Sequence, residues 1–347
     1  MKRKLFGSLF KTRTCVIFSM VAIACFGLAS CGDDDDDNGG SSNGSDKAGV
    51  LTTTDGTSIY LKQVGSLSFA YDTSGKVTSC SYYTDDYNFT YNPFTITHES
   101  NESYGTTKVE LSNISLNGKG YITKMKESIY DTWSDGSYES SSGTYSFSYD
   151  GSGHLTKVSG SGSWTYYEDG ETEKGSVHIE YHLTWSNGNL VKVVYKYNDS
   201  GEEETETVTN DYDTSLYPNV TRQYTNNYFA QSIEDLDFLF FLGYLGVAGE
   251  YHPVSATYVC TYEDEDTQET DTDSYKYKYT LNSNGSVATS SYSYNNGSYR
   301  NTSYSYYPEG SFSSGSKASA KSRSLAPEQT NRKTRHSLGL FKSRRDK

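Results

Sequence analysis

One turn recurs five times between residues 71 and 287, and it limits what this chain can fold into more than any other feature. The copies are Tyr71-Asp72-Thr73-Ser74-Gly75-Lys76-Val77, Leu116-Asn117-Gly118-Lys119-Gly120-Tyr121-Ile122, Tyr149-Asp150-Gly151-Ser152-Gly153-His154-Leu155, Trp185-Ser186-Asn187-Gly188-Asn189-Leu190 and Leu281-Asn282-Ser283-Asn284-Gly285-Ser286-Val287. Four of them place Asp or Asn after an aromatic residue or Leu, then Gly three residues later; the Trp185 copy is one residue shorter. Asp or Asn opens a type I turn with its side-chain acceptor, and Gly fills the left-handed position of a G1 bulge. The structural turn glycines are therefore Gly75, Gly120, Gly153, Gly188 and Gly285. Looser acidic connections lie between these turns, at 131–136, 168–170, 199–201, 263–273 and 295–297. A tight end alternating with a loose acidic end is the signature of an up-and-down meander.

The segments between turns alternate with period two. Tyr275-Lys276-Tyr277-Lys278-Tyr279, Tyr145-Ser146-Phe147-Ser148-Tyr149 and Val177-His178-Ile179-Glu180-Tyr181-His182-Leu183 each put rings or aliphatics on one face and polar groups on the other. Composition agrees. Aromatic residues make up 15% of the chain, 34 of them Tyr, while hydrophobic residues total only 34%. A helical bundle or parallel α/β enzyme needs more Leu and Ala in helical periods. The expected fold is mainly all-β: an antiparallel up-and-down meander, curved or barrel-like. One segment departs from this pattern. Ser232 to Leu245 carries Ile233, Leu236 and Phe240 at helical spacing, with Ser232 and Asp235 as a capping pair and Gly243 or Gly246 to end it. So apolar a helix must be covered, which places it as a lid across the aromatic face.

Four stretches follow along the chain. Residues 1–30 read as a signal peptide: Lys2, Arg3, Lys4, Lys11 and Arg13 precede any acid, and Val16 to Leu28 is apolar but short for a span. It ends Leu28-Ala29-Ser30-Cys31, which resembles the lipobox of bacterial lipoproteins. That resemblance implies cleavage before Cys31 and acylation of Cys31, whose chains hold the protein to a bilayer at ~0.8 kcal/mol per buried CH₂. The alternative is an ordinary secretory peptide with an incidental cysteine. Residues 31–54 form an acidic Gly/Ser tether beginning Asp33 to Asp37. An acidic run at this place also resembles the surface-export signal of Bacteroidota lipoproteins; the plainer reading is a spacer on a periplasm-facing protein. The β-meander domain occupies 55–310, and 311–347 is a basic low-complexity segment with ten Lys/Arg against two acids.

Charge excludes one class of partner. Of the 30 basic residues, five precede Cys31 and ten lie after residue 310, which leaves fifteen in 32–310 against 42 acids. So acidic a body repels phosphate backbones, and no nucleic-acid partner is expected. Cys80 and Cys260 are the two cysteines within the meander; they pair as a disulfide or stay as two separate thiols.

The lipobox, acidic tether, Tyr-rich hairpins and Phe/Leu/Gly helix before Pro253 together resemble an uncharacterised family of Bacteroidota surface lipoproteins. Their β-meander domain is described as porin-like or similar to tyrosine–aspartate repeats. The resemblance spans about residues 55–310, implies lipid anchoring in the outer membrane, and brings no catalytic residues.

Chemistry is sparse in the sequence. His178, Glu180 and His182 share one strand face and are the metal-ligand candidates, although strand neighbours two apart lie ~7 Å from each other. The commoner arrangement is a solvated hairpin face. Phosphate loops, dinucleotide fingerprints and Gly-x-Ser-x-Gly elbows do not occur, so no cofactor is expected and no catalytic residue is assigned. Two functional classes follow. The first is a non-enzymatic surface lipoprotein that binds glycan or protein through exposed rings with hydrogen-bonding groups beside them. The second is an exported glycan hydrolase whose carboxylates meet only in the fold. An outer-membrane pore fits less well, because Tyr rather than Leu or Val makes up the apolar face.

Overall fold

Turn chemistry and period-two alternation convert nearly the whole body into strand. The computed structural model describes residues 49–82, 85–103, 105–200, 202–225, 237–263, 268–308 and 311. The signal peptide, Cys31, Asp33 to Asp37, Ser232 to Asp235 and nearly all of 311–347 lie outside the described residues. Within them the strands are β1 (Val50–Thr52), β2 (Ser58–Val64), β3 (Leu67–Tyr71), β4 (Val77–Tyr82), β5 (Asp85–Tyr91), β6 (Phe94–Glu102), β7 (Gly105–Leu116), β8 (Ile122–Trp133) and β9 (Tyr138–Tyr149). They continue as β10 (Leu155–Glu168), β11 (Glu171–Ser186), β12 (Asn189–Asp199), β13 (Glu202–Asp211), β14 (Ser255–Glu263), β15 (Gln268–Leu281), β16 (Val287–Tyr294) and β17 (Arg300–Pro308), with one helix, α1 (Asp237–Phe241).

Every strand from β2 to β17 pairs antiparallel with the next, and β17 returns to pair with β2, closing a barrel of sixteen strands. Closure leaves no exposed edge along the wall. The short β1 lies on the first residues of β2, with Leu51 opposite Ile59; on the other side of β2, Pro308 of β17 also pairs with Ile59. The chain therefore enters and leaves the barrel beside one residue. Strand β1 also starts inside the stretch that the sequence reads as tether.

The recurrent turns share one set of hydrogen bonds. The Asp72 amide donates to the Lys76 carbonyl and the Gly75 amide to Asp72; the same pair recurs at 117–121, 150–154 and 282–286. Asp72 Oδ1 also accepts the amides of Ser74 and Lys76, and Asn117 Oδ1 those of Lys119 and Tyr121. Gly75, Gly120, Gly153, Gly188 and Gly285 have φ between 72° and 91°, a region only glycine enters without strain. Asn187 joins Gly188 at positive φ, the two-residue type I′ hairpin that explains the shorter copy. One connection expected to be loose is not: Trp133 to Ser137, with Gly136 at φ 88°, repeats the tight geometry at the opposite end. Up-and-down order puts the five sequence-identified turns at a single end.

That end is closed by the connection from β13 to β14. Its amides and carbonyls bond the hairpins directly: Thr221 to Gly285, Val247 to Gly153 and Glu250 to Gly188 by donation, and Tyr244 to Ile122 by acceptance. Phe238, Leu239, Phe240, Leu242 and Leu245 are all buried. Phe238 stacks on Tyr87 at 5.7 Å and meets Phe89 edge-on, while Phe240 meets Tyr224 at 5.0 Å. At ~2 kcal/mol per buried ring or Leu, this plug is a main source of stability. The helix ends before the expected Leu245; residues 232–236 lie outside the described residues. Gly243, at φ 75°, ends it in a Schellman motif, with Tyr244 N–H on the Leu239 carbonyl and Gly243 N–H on Phe240. The helix covers the aromatic face as expected, and because the sheet has closed around it, it does so as a plug inside the barrel.

Register then assigns faces. Residues packed on the plug, such as Tyr87 and Phe89, point inward, and cross-strand partners share a face. Inward lie Val177, Ile179, Tyr181 and Leu183, and Tyr275, Tyr277 and Tyr279. Outward lie His178, Glu180, His182, Lys276, Lys278, Thr280 and, on β9, Ser140, Ser142, Ser146 and Ser148; Ser141 is buried on the inner face. This polarity is the inverse of a membrane-spanning barrel, whose lipid-facing Lys residues would each cost about 2–4 kcal/mol at the midplane. No helix among the described residues is long and apolar enough to cross a membrane.

Candidate binding surface

A cleft of about 720 Å³ opens on the outer wall across β5–β8. Two adjacent cross-strand rows form its floor. In the first, Asn88 pairs with Thr97, Thr97 with Glu110 and Glu110 with Ser128. In the second, Glu99 pairs with Lys108 and Lys108 with Tyr130, with Asp86 at the margin. Lys108 Nζ lies 3.3 Å from Glu99 Oε1, both side chains about half exposed. Ser81 donates to Asp86 Oδ1 at 2.5 Å. Three carboxylates against one ammonium leave the cleft acidic.

Tyr130 forms the β8 side of the cleft and is 44% exposed, among the most exposed large hydrophobic side chains of the described residues. It is braced from behind. Its ring centroid lies 6.0 Å from Tyr138, and Tyr138 stacks on Tyr167 at 5.3 Å with an interplanar angle of 18°. All three rings stand on the outer face, since Tyr138 pairs with Tyr167 and with Thr132, two residues from Tyr130. Asp86 and Tyr130 sit near the ends of their strands opposite the tight turns, while Tyr87, between Asp86 and Asn88, meets Phe238 of the plug on the inner side of the same wall.

The histidine face is arranged differently from a metal site. Glu180 places Oε1 2.5 Å from Lys157 Nζ and Oε2 3.1 Å from His182 Nε2. The hydrogen bond from Lys157, then that from His182, lowers the Glu180 carboxyl to about 2. His178 shares the outer face but appears in neither contact. The site is a solvated ion-pair cluster.

A second donor group lies on the inner wall towards the end opposite the tight turns. Glu204, Glu206 and Cys260 offer ligand atoms that all lie within 4.8 Å of one another. Glu206 and Cys260 are cross-strand partners, Asp271 pairs with Cys260 on the other side, and the Cys260 thiol donates to Glu204 at 2.9 Å. One thiol with two carboxylates is a donor set suited to zinc rather than calcium. Cys80 is buried in the core and Cys260 half-buried, and both are free thiols. Burial pushes the Cys80 thiol well above its ordinary value.

None of the cleft residues stands out in the sequence. Asn88, Thr97, Glu110 and Ser128 come from four strands and align only once register is known. The outward position of Tyr130, opposite in parity to Ile129, was the one local signal.

No protein-family model matches the chain, and no curated protein sequence does. Solved structures similar to it include two porin-like proteins. A porin-like protein from Bacteroides vulgatus is 15% identical over 72% of this chain and 99% of its own, with a TM-score of 0.45. A porin-like protein from Bacteroides uniformis is 13% identical over 74% of this chain and 94% of its own, with a TM-score of 0.36.

Proposed function

We propose that this chain is a non-enzymatic binding module of the outer-membrane surface, held by acyl chains on Cys31, with its barrel standing in water. The observation that carries this reading is the inverted polarity over strands such as β9, β11 and β15: rings and aliphatics inside, Lys, Glu, His, Ser and Thr outside. Such a barrel gains nothing from lipid around it. The lipobox then supplies the attachment, and Asp33 to Asp37 the export signal. The tether joins at the plugged end through β1, which puts that end of the barrel nearest the bilayer. An open cleft flanked by a ring favours binding over hydrolysis, which needs a pair of carboxylates enclosing the scissile bond.

The test replaces Gly39 to Ser45 of the full-length protein with a site-specific protease sequence. Membranes carrying the intact lipoprotein are cleaved and washed in high-salt buffer without detergent. Release of the folded barrel into the supernatant is the expected result. Retention in the membrane pellet would show that the wall itself spans the bilayer.

A further inference from the structure

The outer-wall cleft has the makings of a carbohydrate site, and we propose that it binds a neutral glycan, with one sugar ring stacked on Tyr130. This deepens, and rests on, the reading of the barrel as a water-exposed binding module.

Sugar recognition needs two unlike surfaces at once: a flat apolar patch for the C–H face of a pyranose and planar polar groups for its hydroxyls. The cleft juxtaposes them. Tyr130 presents an exposed ring at the β8 side, and the floor beside it offers the amide of Asn88, the carboxylate of Glu110 and the hydroxyls of Thr97 and Ser128. Amide and carboxylate groups accept or donate two hydrogen bonds in one plane, which matches vicinal hydroxyls. The volume, about 720 Å³, falls within the range of ligand clefts and leaves room for more than one ring.

Rigidity adds to the case. An exposed tyrosine on a strand normally loses rotamer freedom when a ligand lands on it. Here Tyr138, itself stacked on Tyr167, lies beside Tyr130 on the side away from the cleft, which restricts the ring before a ligand arrives. These three residues lie on β8, β9 and β10, and register alone brings them into a row.

Charge selects among glycans. Asp86, Glu99 and Glu110 outnumber Lys108, and Lys108 is engaged by Glu99. An anionic chain bearing sulfate or uronic acid is repelled, whereas uncharged hydroxyls are accepted by the same oxygens. A cationic peptide would satisfy the charge but has no use for the braced ring.

The experiment uses the full lipoprotein in mild detergent on an array of neutral, uronic-acid-bearing and sulfated glycans, with polylysine as a cationic probe. Binding to neutral glycans is expected. Tyr130→Ala should weaken it about tenfold or more, Tyr130→Phe should retain it, and Glu110→Ala should weaken it. Tyr299→Ala, an exposed tyrosine near the β16–β17 connection, should leave it unchanged. Each variant is checked for an unaltered melting temperature. No neutral-glycan binding, equal binding by Tyr130→Ala, or preference for polylysine or sulfated chains would overturn the proposal. A barrel that is released from its tether yet indifferent to Tyr130→Ala removes the site and leaves the module reading intact.

Discussion

The amide of Val247 donates to the carbonyl of Gly153 at 3.0 Å, joining the plug to a hairpin nearly a hundred residues earlier. The bond matters because of what sits beside it. Gly246 stands at φ 96°, and a Cβ there would lie 2.5 Å from the same Gly153 oxygen and 3.1 Å from the Tyr149 ring. The plug can approach the β9–β10 hairpin this closely only because residue 246 has no side chain. A backbone oxygen cannot swing aside as a flexible side chain would.

Two glycines a turn apart separate strain from collision. Gly243 also has positive φ, at 75°, but a Cβ there would meet nothing within 4 Å. Gly243→Ala should therefore cost about 1 kcal/mol, the ordinary expense of a left-handed alanine. Gly246→Ala adds overpacking against backbone and should cost about 3 kcal/mol in all. Urea melts of the two variants measure the difference. Equal losses would mean that the plug relaxes away from Gly153.

The hairpins were legible in the sequence because their chemistry is local: Asp72 bonds its own turn, and Gly75 supplies the left-handed residue three positions on. A curved or barrel-like sheet was legible too, but which strands meet to close it was not. The pairing of Pro308 with Ile59 depends on strand number and stagger accumulated around the whole wall. The plug was half legible. Its apolar run was plain, yet where the helix stopped depended on which of Gly243 and Gly246 formed the Schellman end. The cleft was invisible for the same reason as closure, since Asn88, Thr97, Glu110 and Ser128 become neighbours only through register.

Gly160 offers a test of inner-wall packing without backbone strain. It lies in β10 opposite Tyr145, and a Cβ there would come within 2.7–2.8 Å of the Tyr145 ring and 2.9 Å of Ile179. Tyr145 cannot easily yield: it is fully buried, and its hydroxyl donates to Glu127 at 2.8 Å. Gly160→Ala should thus destabilise by about 1–3 kcal/mol, although alanine is ordinarily better than glycine in a strand. In a Tyr145→Leu background the smaller side chain makes room, and most of the loss should disappear. Additive losses in the double variant, read by thermal denaturation, would refute the collision.

His252 should make the barrel acid-sensitive. It is buried against Tyr279, ring centroids 4.9 Å apart, and burial lowers its pKa to about 3. In the unfolded chain it titrates near the ordinary value of ~6.5. Between these values the unfolded state binds a proton that the native state refuses. The stability due to the neutral ring is therefore complete above pH ~6.5 and falls as pH drops, by at most about 1.4 kcal/mol per unit. His252→Phe keeps a ring against Tyr279 and removes the titration. Its unfolding free energy should fall less steeply between pH 6.5 and 4 than that of the wild type. Parallel curves would assign the acid sensitivity to other groups.

The cysteines give the last prediction, because each has a different chemical fate. On the lipoprotein reading Cys15 and Cys25 leave with the signal peptide and the Cys31 thiol carries a diacylglyceryl group, so two free thiols remain. A fatty-acid analogue fed to cells should label the wild type and not Cys31→Ser. Of the remaining two, Cys80 is fully buried among core residues, where desolvation disfavours the reactive thiolate. Cys260 is half-buried on the inner wall towards the end opposite the plug, with its thiol on Glu204. A small maleimide applied to the native protein should therefore modify Cys260 well before Cys80, and denaturation should equalise them. Peptide mapping by mass spectrometry reads the order. Labelling of Cys80 first would mean that the core around β4 opens more readily than the wall around Cys260.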